Sequence, residues 1–194
     1  MNRMNTKQQA SLLRTFRSLH RYTGALLFFF FFWIAVSGLF LGWKKHSGGA
    51  ILPSTQRGTS QSLTEWMPVD ELANRAIAAL EAADPQAGTT IDRMDLRPGK
   101  GVVKVRFEGH HTEVQVDGAT GEVLQMATRH SDWLEALHDG SIVEGPLGIG
   151  GGYFKLVYTT IMALALLIFT ITGFWLWYGP KRLRAAKRHR KPRD

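Results

Sequence analysis

Two long apolar runs, at 22–43 and 153–178, frame a middle of mixed polarity. Each is long enough for a helix to cross the ~30 Å hydrocarbon layer, which takes about twenty residues. Between them the period of the pattern changes. After a polar stretch rich in Gly, Ser and Thr at 44–62, Leu72, Ala73, Ala76, Ile77 and Leu80 recur at helical spacing, and Asp84-Pro85 stops that helix. Strand-like segments follow at 91–96, 102–107 and 112–116, separated by Arg97-Pro98-Gly99-Lys100-Gly101 and Gly109-His110. Asp117-Gly118-Ala119-Thr120-Gly121 is a hairpin signal leading to a last strand at 122–125. Trp133, Leu134 and Leu137 then put an apolar stripe on a short helix suited to a membrane–water boundary. The pattern predicts an α+β membrane protein: a two-helix transmembrane hairpin carrying one helix packed on a small antiparallel sheet. Its parts are a basic N-terminus (1–21), first crossing (22–43), linker (44–62), sheet module (63–127), interfacial segment (128–152), second crossing (153–178) and basic tail (179–194).

Charge orients this hairpin. Of 24 Lys and Arg, 13 flank the two crossings on the terminal sides: Arg3, Lys7, Arg14, Arg17 and Arg21 ahead of the first, and eight more from Lys181 to Arg193 behind the second. The remaining 11 face 15 acids, a net of −4. The positive-inside rule then puts both termini in the cytoplasm and the middle on the other side. The overall charge of +8 and pI near 10.0 reflect these flanks and their attraction to anionic lipid, not a nucleic-acid partner. The first run follows a basic N-terminus as a signal peptide would, but it is too long and Trp43-Lys44-Lys45 offers no cleavage site, so it reads as an uncleaved anchor. There is no cysteine, which excludes disulfides, Cys-ligated zinc, iron–sulfur clusters and thiol chemistry within the chain.

The candidate chemistry lies in two histidines. His20 opens the first crossing one turn before Gly24, and Ser37-Gly38 lies near the far end of that helix. His20 has two readings: an interfacial imidazole among the head groups, or an axial ligand to a haem between helices, with Gly24 making room for the macrocycle. Because the second helix runs back, Thr172-Gly173 falls at the depth of His20 and Gly24, while His138 falls near Ser37-Gly38. Each leaflet thus has one histidine and a small-residue pair, a layout that suits two haems relaying an electron across the bilayer. Two chains side by side would make a four-helix bundle with two histidines at each level. The middle module has no catalytic constellation. His110 and His111 read as a solvated tip, with Glu108 and Glu113 as loose metal partners only, and Asp117 and Glu122 read as turn chemistry.

Several short motifs in this order resemble the PepSY-associated transmembrane proteins. They are Leu19-His20-Arg21-Tyr22-Thr23-Gly24, the hairpin from Asp117 to Val123, Leu137-His138-Asp139-Gly140, and Thr172-Gly173-Phe174-Trp175-Leu176-Trp177. The resemblance covers about residues 15–178 and implies a PepSY-like module. Larger relatives have four crossings, and some look like inner-membrane reductases that take iron from siderophores in the periplasm, with haem held by histidines between helices. Carried over by position, His20 and His138 match the family's histidine-containing motifs, which implies them as ligands of a haem b; the spacing above puts Gly24 and Gly173 beside it. This chain departs from those relatives in having a single hairpin.

Three functions compete. The first is a haem-bearing hairpin, a membrane oxidoreductase subunit acting as a homodimer in the bacterial inner membrane. It would pass electrons to a periplasmic acceptor such as a ferric siderophore. No flavin or nicotinamide motif is present, so its electron donor is a separate partner. The second is a periplasmic binding or regulatory module that the helices only anchor. The third is an accessory subunit of a larger membrane complex.

Overall fold

The computed structural model describes residues 6–188; the expectations for 1–5 and 189–194, including Arg3 and the last three basic residues, lie outside them. The chain divides into two compact units, one of residues up to Val36 with His138 onward, the other Ser37–Leu137.

The first unit holds a pair of long helices, α1 (Thr6–Trp43) as far as Val36 and the last helix of the chain, α5 (Tyr153–Arg188). With 38 and 36 residues, they are about 57 and 54 Å long at ~1.5 Å per residue, well beyond the apolar runs. The extension of α1 follows from its sequence, since nothing between Thr6 and Arg21 is Gly or Pro. That of α5 is less expected, because Gly179-Pro180 reads as a stop. Pro180 removes one backbone donor, yet good helix formers follow and the helix continues to Arg188.

The pair meets along one seam. On α1 it holds Leu13, Phe16, His20, Gly24 and Phe31; on α5, Tyr158, Phe169, Thr172, Gly173, Trp175 and Gly179. Three glycines are sockets for side chains of the facing helix. A Cβ on Gly24 would lie 2.9 Å from Cε2 of Phe169, one on Gly173 3.3 Å from Cε1 of His20, and one on Gly179 2.4 Å from Cδ2 of Leu13. Between apolar helices in lipid no hydrophobic force drives association, so close packing at small residues does. Away from the seam the surface is apolar and bare: Leu26 is 77% exposed, Phe28 66% and Leu156 63%. The most apolar windows of the two helices are only 6% and 11% buried. Core helices of a water-soluble domain would be covered; these present their side chains to lipid.

The second unit is an antiparallel meander, β1 (Ile91–Arg97), β2 (Val102–Phe107), β3 (Thr112–Asp117) and β4 (Val123–Thr128), in that spatial order. Helix α2 (Val69–Ala83) lays Leu72, Ala76 and Leu80 on the face formed by Val103, Val105, Phe107, Val114 and Val116. The sequence places these elements within three residues. The opposite face holds a difference. Strand alternation turns Lys104, Arg106, Glu113, Gln115 and Asp117 to that side, where an antiparallel sheet usually meets water. Four of the five are buried: Lys104, Glu113, Gln115 and Asp117 are 5% exposed or less.

Part of the cover is the stretch expected to be a linker. The backbone of Gln56 donates to Gln115 Oε1 (2.8 Å), Gln115 Nε2 donates to the carbonyl of Ser54 (2.9 Å), and the amide of Thr59 donates to Asp117 Oδ2 (2.7 Å). Gly58 sits so close that a Cβ there would fall 1.9 Å from the Gly101 carbonyl oxygen. Residues 51–60 are therefore a strap belonging to the module. Composition could not reveal this, because side chains sixty residues away hold the strap down. The start of α3 (His130–Asp139) adds the rest, the Ser131 amide donating to the Ile51 carbonyl at 2.8 Å. The one-turn helix α4 (Glu144–Leu147) precedes α5.

Candidate functional site: two histidines on the helix pair

His20 is clamped on three sides by α5. Its ring stacks on Phe169 with centroids 3.9 Å apart and planes at 22°. Its Cε1 edge rests against Gly173, and Nδ1 lies 3.0 Å from Thr172 Oγ1. The Thr172 hydroxyl has one proton, and the carbonyl of Ile168 one turn back accepts it at 2.8 Å. The same oxygen is then placed to accept from His20 Nδ1, and in that neutral tautomer Nε2 keeps its lone pair. Fixing the tautomer through the other ring nitrogen is how a protein prepares an imidazole to bind a metal or take a proton. Gly24, expected to leave room for a flat ligand, is filled by the edge of Phe169.

His138 occupies the far end of the unit. With Phe31, Ile34, Tyr158, Met162 and Leu166 it lines a cavity of about 190 Å³. The residues that follow form a bracket. Asp139 accepts from Lys155 Nζ (2.5 Å), from the Ser141 amide (3.0 Å) and from the Ser141 hydroxyl (2.7 Å). Burial pushes the Asp139 carboxyl upward, but the hydrogen bonds from Lys155 and Ser141 outweigh it and hold the pKa below the usual carboxylate value. Gly140 takes φ +80° and packs on Tyr158, where a Cβ would meet Cδ1 at 2.7 Å. A side chain at Gly140 would be both strained and blocked. Along α5 the levels of Thr172 and Tyr158 differ by fourteen residues, about 21 Å at ~1.5 Å each.

The two histidines are thus not brought together; each meets its own set of α5 residues. The sequence pointed to the level of Thr172-Gly173, but Phe169, Tyr158 and the Asp139–Lys155 pair went unnoticed. Only the heptad-like recurrence of small and aromatic residues along α5 hints at the first two.

The sheet module offers less. Among the described residues no group of three or more His, Asp or Glu is arranged to hold a metal. His110, expected to be solvated, stacks on Phe107, reaches the Gly88 carbonyl oxygen through Nε2 (2.9 Å) and accepts from the Thr112 amide at Nδ1 (3.4 Å), so both ring nitrogens serve the turn. Glu113 is unavailable to it, being bound to Lys104 at 3.0 Å and to Arg129 on the buried face. Asp117 is turn chemistry as expected, accepting from the amides of Ala119 (2.8 Å) and Thr120 (3.2 Å).

A helix pair bare to lipid and an α+β module define a membrane-anchored protein. The sequence profile of the PepSY-associated TM region matches residues 7–194, and the chain belongs to that family. No curated protein and no solved structure matches it.

Proposed function

We propose that this protein is a haem-binding electron-transfer subunit of the bacterial inner membrane, with both termini cytoplasmic and the sheet module in the periplasm. The observation that carries the reading is the clamp on His20: Nδ1 lies 3.0 Å from the Thr172 hydroxyl, which leaves Nε2 as the nitrogen available to a ligand. The donor chemistry fits a b-type haem, but one chain offers a single imidazole at each level. A second copy supplies the other, giving a four-helix bundle with His20 paired at one level and His138 at the other. Bound haem supplies one-electron transfer between the two faces of the membrane. The protein's part is to fix the His20 imidazole through Thr172 and Phe169, and to present His138 at a cavity between the helices. The donor is a separate partner, and a ferric siderophore is the kind of periplasmic acceptor this layout suits.

The test is an absorption spectrum of the detergent-purified full chain from haem-supplied cells, before and after dithionite. A Soret band that sharpens with reduced α and β bands is expected, lost in His20→Ala and weakened in His138→Ala. A folded protein that stays colourless overturns the reading. One observation favours a second function in that event: the sheet module has its own cavity of about 350 Å³, lined by residues including Leu80, Asp84, Gly88, His110 and Met126. A half-polar recess of that kind suits a peptide or small ligand, with the helices as anchor.

A further inference from the structure

Where the start of α1 meets the end of α5 there is a second recess, about 180 Å³, lined by neither histidine. Leu12, Leu13, Phe16, Trp175 and Leu183 make it apolar, and Arg182 is the one charged group in its lining. We propose that this recess binds an anionic phospholipid, its acyl chain against the leucines and Trp175 and its phosphate on Arg182.

Three observations point to that occupant. First, depth: Trp175, Trp177 and Tyr178 form an aromatic belt at the end of the second apolar run, and such belts sit at the head-group level. Second, charge. Neither α1 nor α5 contains an acid, so no carboxylate on either helix neutralises Arg182. The neighbouring Lys181 is engaged over the Trp177 ring at 3.7 Å, while Arg182 makes no such contact among the described residues. A guanidinium fork matches a phosphate better than any neutral ligand. Third, shape: an apolar trough ending in one cation fits an amphiphile, whereas a second copy of this chain would bring only more positive charge to this end. The inference depends on the membrane setting and not on haem.

The test is native mass spectrometry of the full chain released from detergent with added phosphatidylglycerol or phosphatidylcholine. The wild type should retain phosphatidylglycerol in preference by about fivefold, the size expected for one basic residue at a membrane surface. Arg182→Gln should abolish the preference. Arg184→Gln, the same charge change on a residue outside the lining, should keep it. Leu12→Trp, which fills the trough, should lose both lipids. Equal behaviour of Arg182→Gln and Arg184→Gln would reduce the effect to general electrostatics and overturn the site. So would equal retention of the two lipids, or a lipid-free dimer in place of a lipid-bound chain.

Discussion

Thr172 decides what His20 can do, and it does so with a single proton. Its hydroxyl can donate to the Ile168 carbonyl at 2.8 Å, which leaves the oxygen placed to accept from the imidazole. Thr172→Val keeps the shape and removes the acceptor, leaving a half-buried Nδ1–H unmatched. If haem binds, its affinity should fall about 10- to 100-fold with a shift in midpoint potential, and Thr172→Ser should restore both; a haem titration with a redox titration checks this. Asp117 has the same character in the module. It is 1% exposed and accepts from the amides of Thr59, Ala119 and Thr120 and the Thr59 hydroxyl. Burial raises its pKa, but these hydrogen bonds lower it more. The carboxyl therefore stabilises the module fully above the ordinary value of about 3.9 and loses that contribution as pH falls through its lower folded value. Asp117→Ala should cost about 2–4 kcal/mol at neutral pH, read as faster amide hydrogen exchange over residues 112–123, and should flatten the acid limb of a stability–pH curve.

At the scale of elements, the glycine sockets set the register of α1 against α5. Leu13 inserts at Gly179, His20 at Gly173 and Phe169 at Gly24, so a slip of one residue would displace all three together. The chain has no cysteine, which makes the register directly testable. Cγ of Leu13, which marks where a cysteine Sγ would stand, lies 3.3 Å from the position of a Cβ on Gly179, within reach of a second Sγ at the S–S bond length of about 2.05 Å. Leu13→Cys with Gly179→Cys should cross-link within one chain on mild oxidation, as shown by peptide mapping. Leu13→Cys with Trp175→Cys, one helical turn away, should do so far less. Reversal of that order would mean a different helix register.

On the scale of the whole molecule, the membrane pair is held by shape and the module's second face by charge. Lys104 and Arg129 flank Glu113, and Arg129 and Arg106 flank Asp132, with Arg106 at 2.5 Å from Asp132 and Gln115 at 2.8 Å from Glu113. Removing one partner strands the others. Glu113→Ala strands the buried Lys104 and leaves Arg129 with Asp132 alone, and should cost about 3–5 kcal/mol, while Lys104→Met with Glu113→Leu should cost much less than the sum of the single changes. Denaturant unfolding of the full chain in detergent measures both.

Hydrophobic periodicity alone determined the two crossings, α2 and the four strands, since burial against lipid or an apolar core follows from residue type and spacing. Local motifs, not periodicity, singled out His20, Gly173 and the turn at Asp117, where the signal is compact. Only the tertiary structure decided which polar groups meet. It turned residues 51–60 from linker into strap, took Glu113 and His110 out of any metal site, and gave the space at Gly24 to Phe169. Those outcomes depend on partners far apart in sequence, such as His20 and Thr172, whose hydrogen bond exists only once two helices lie in one register.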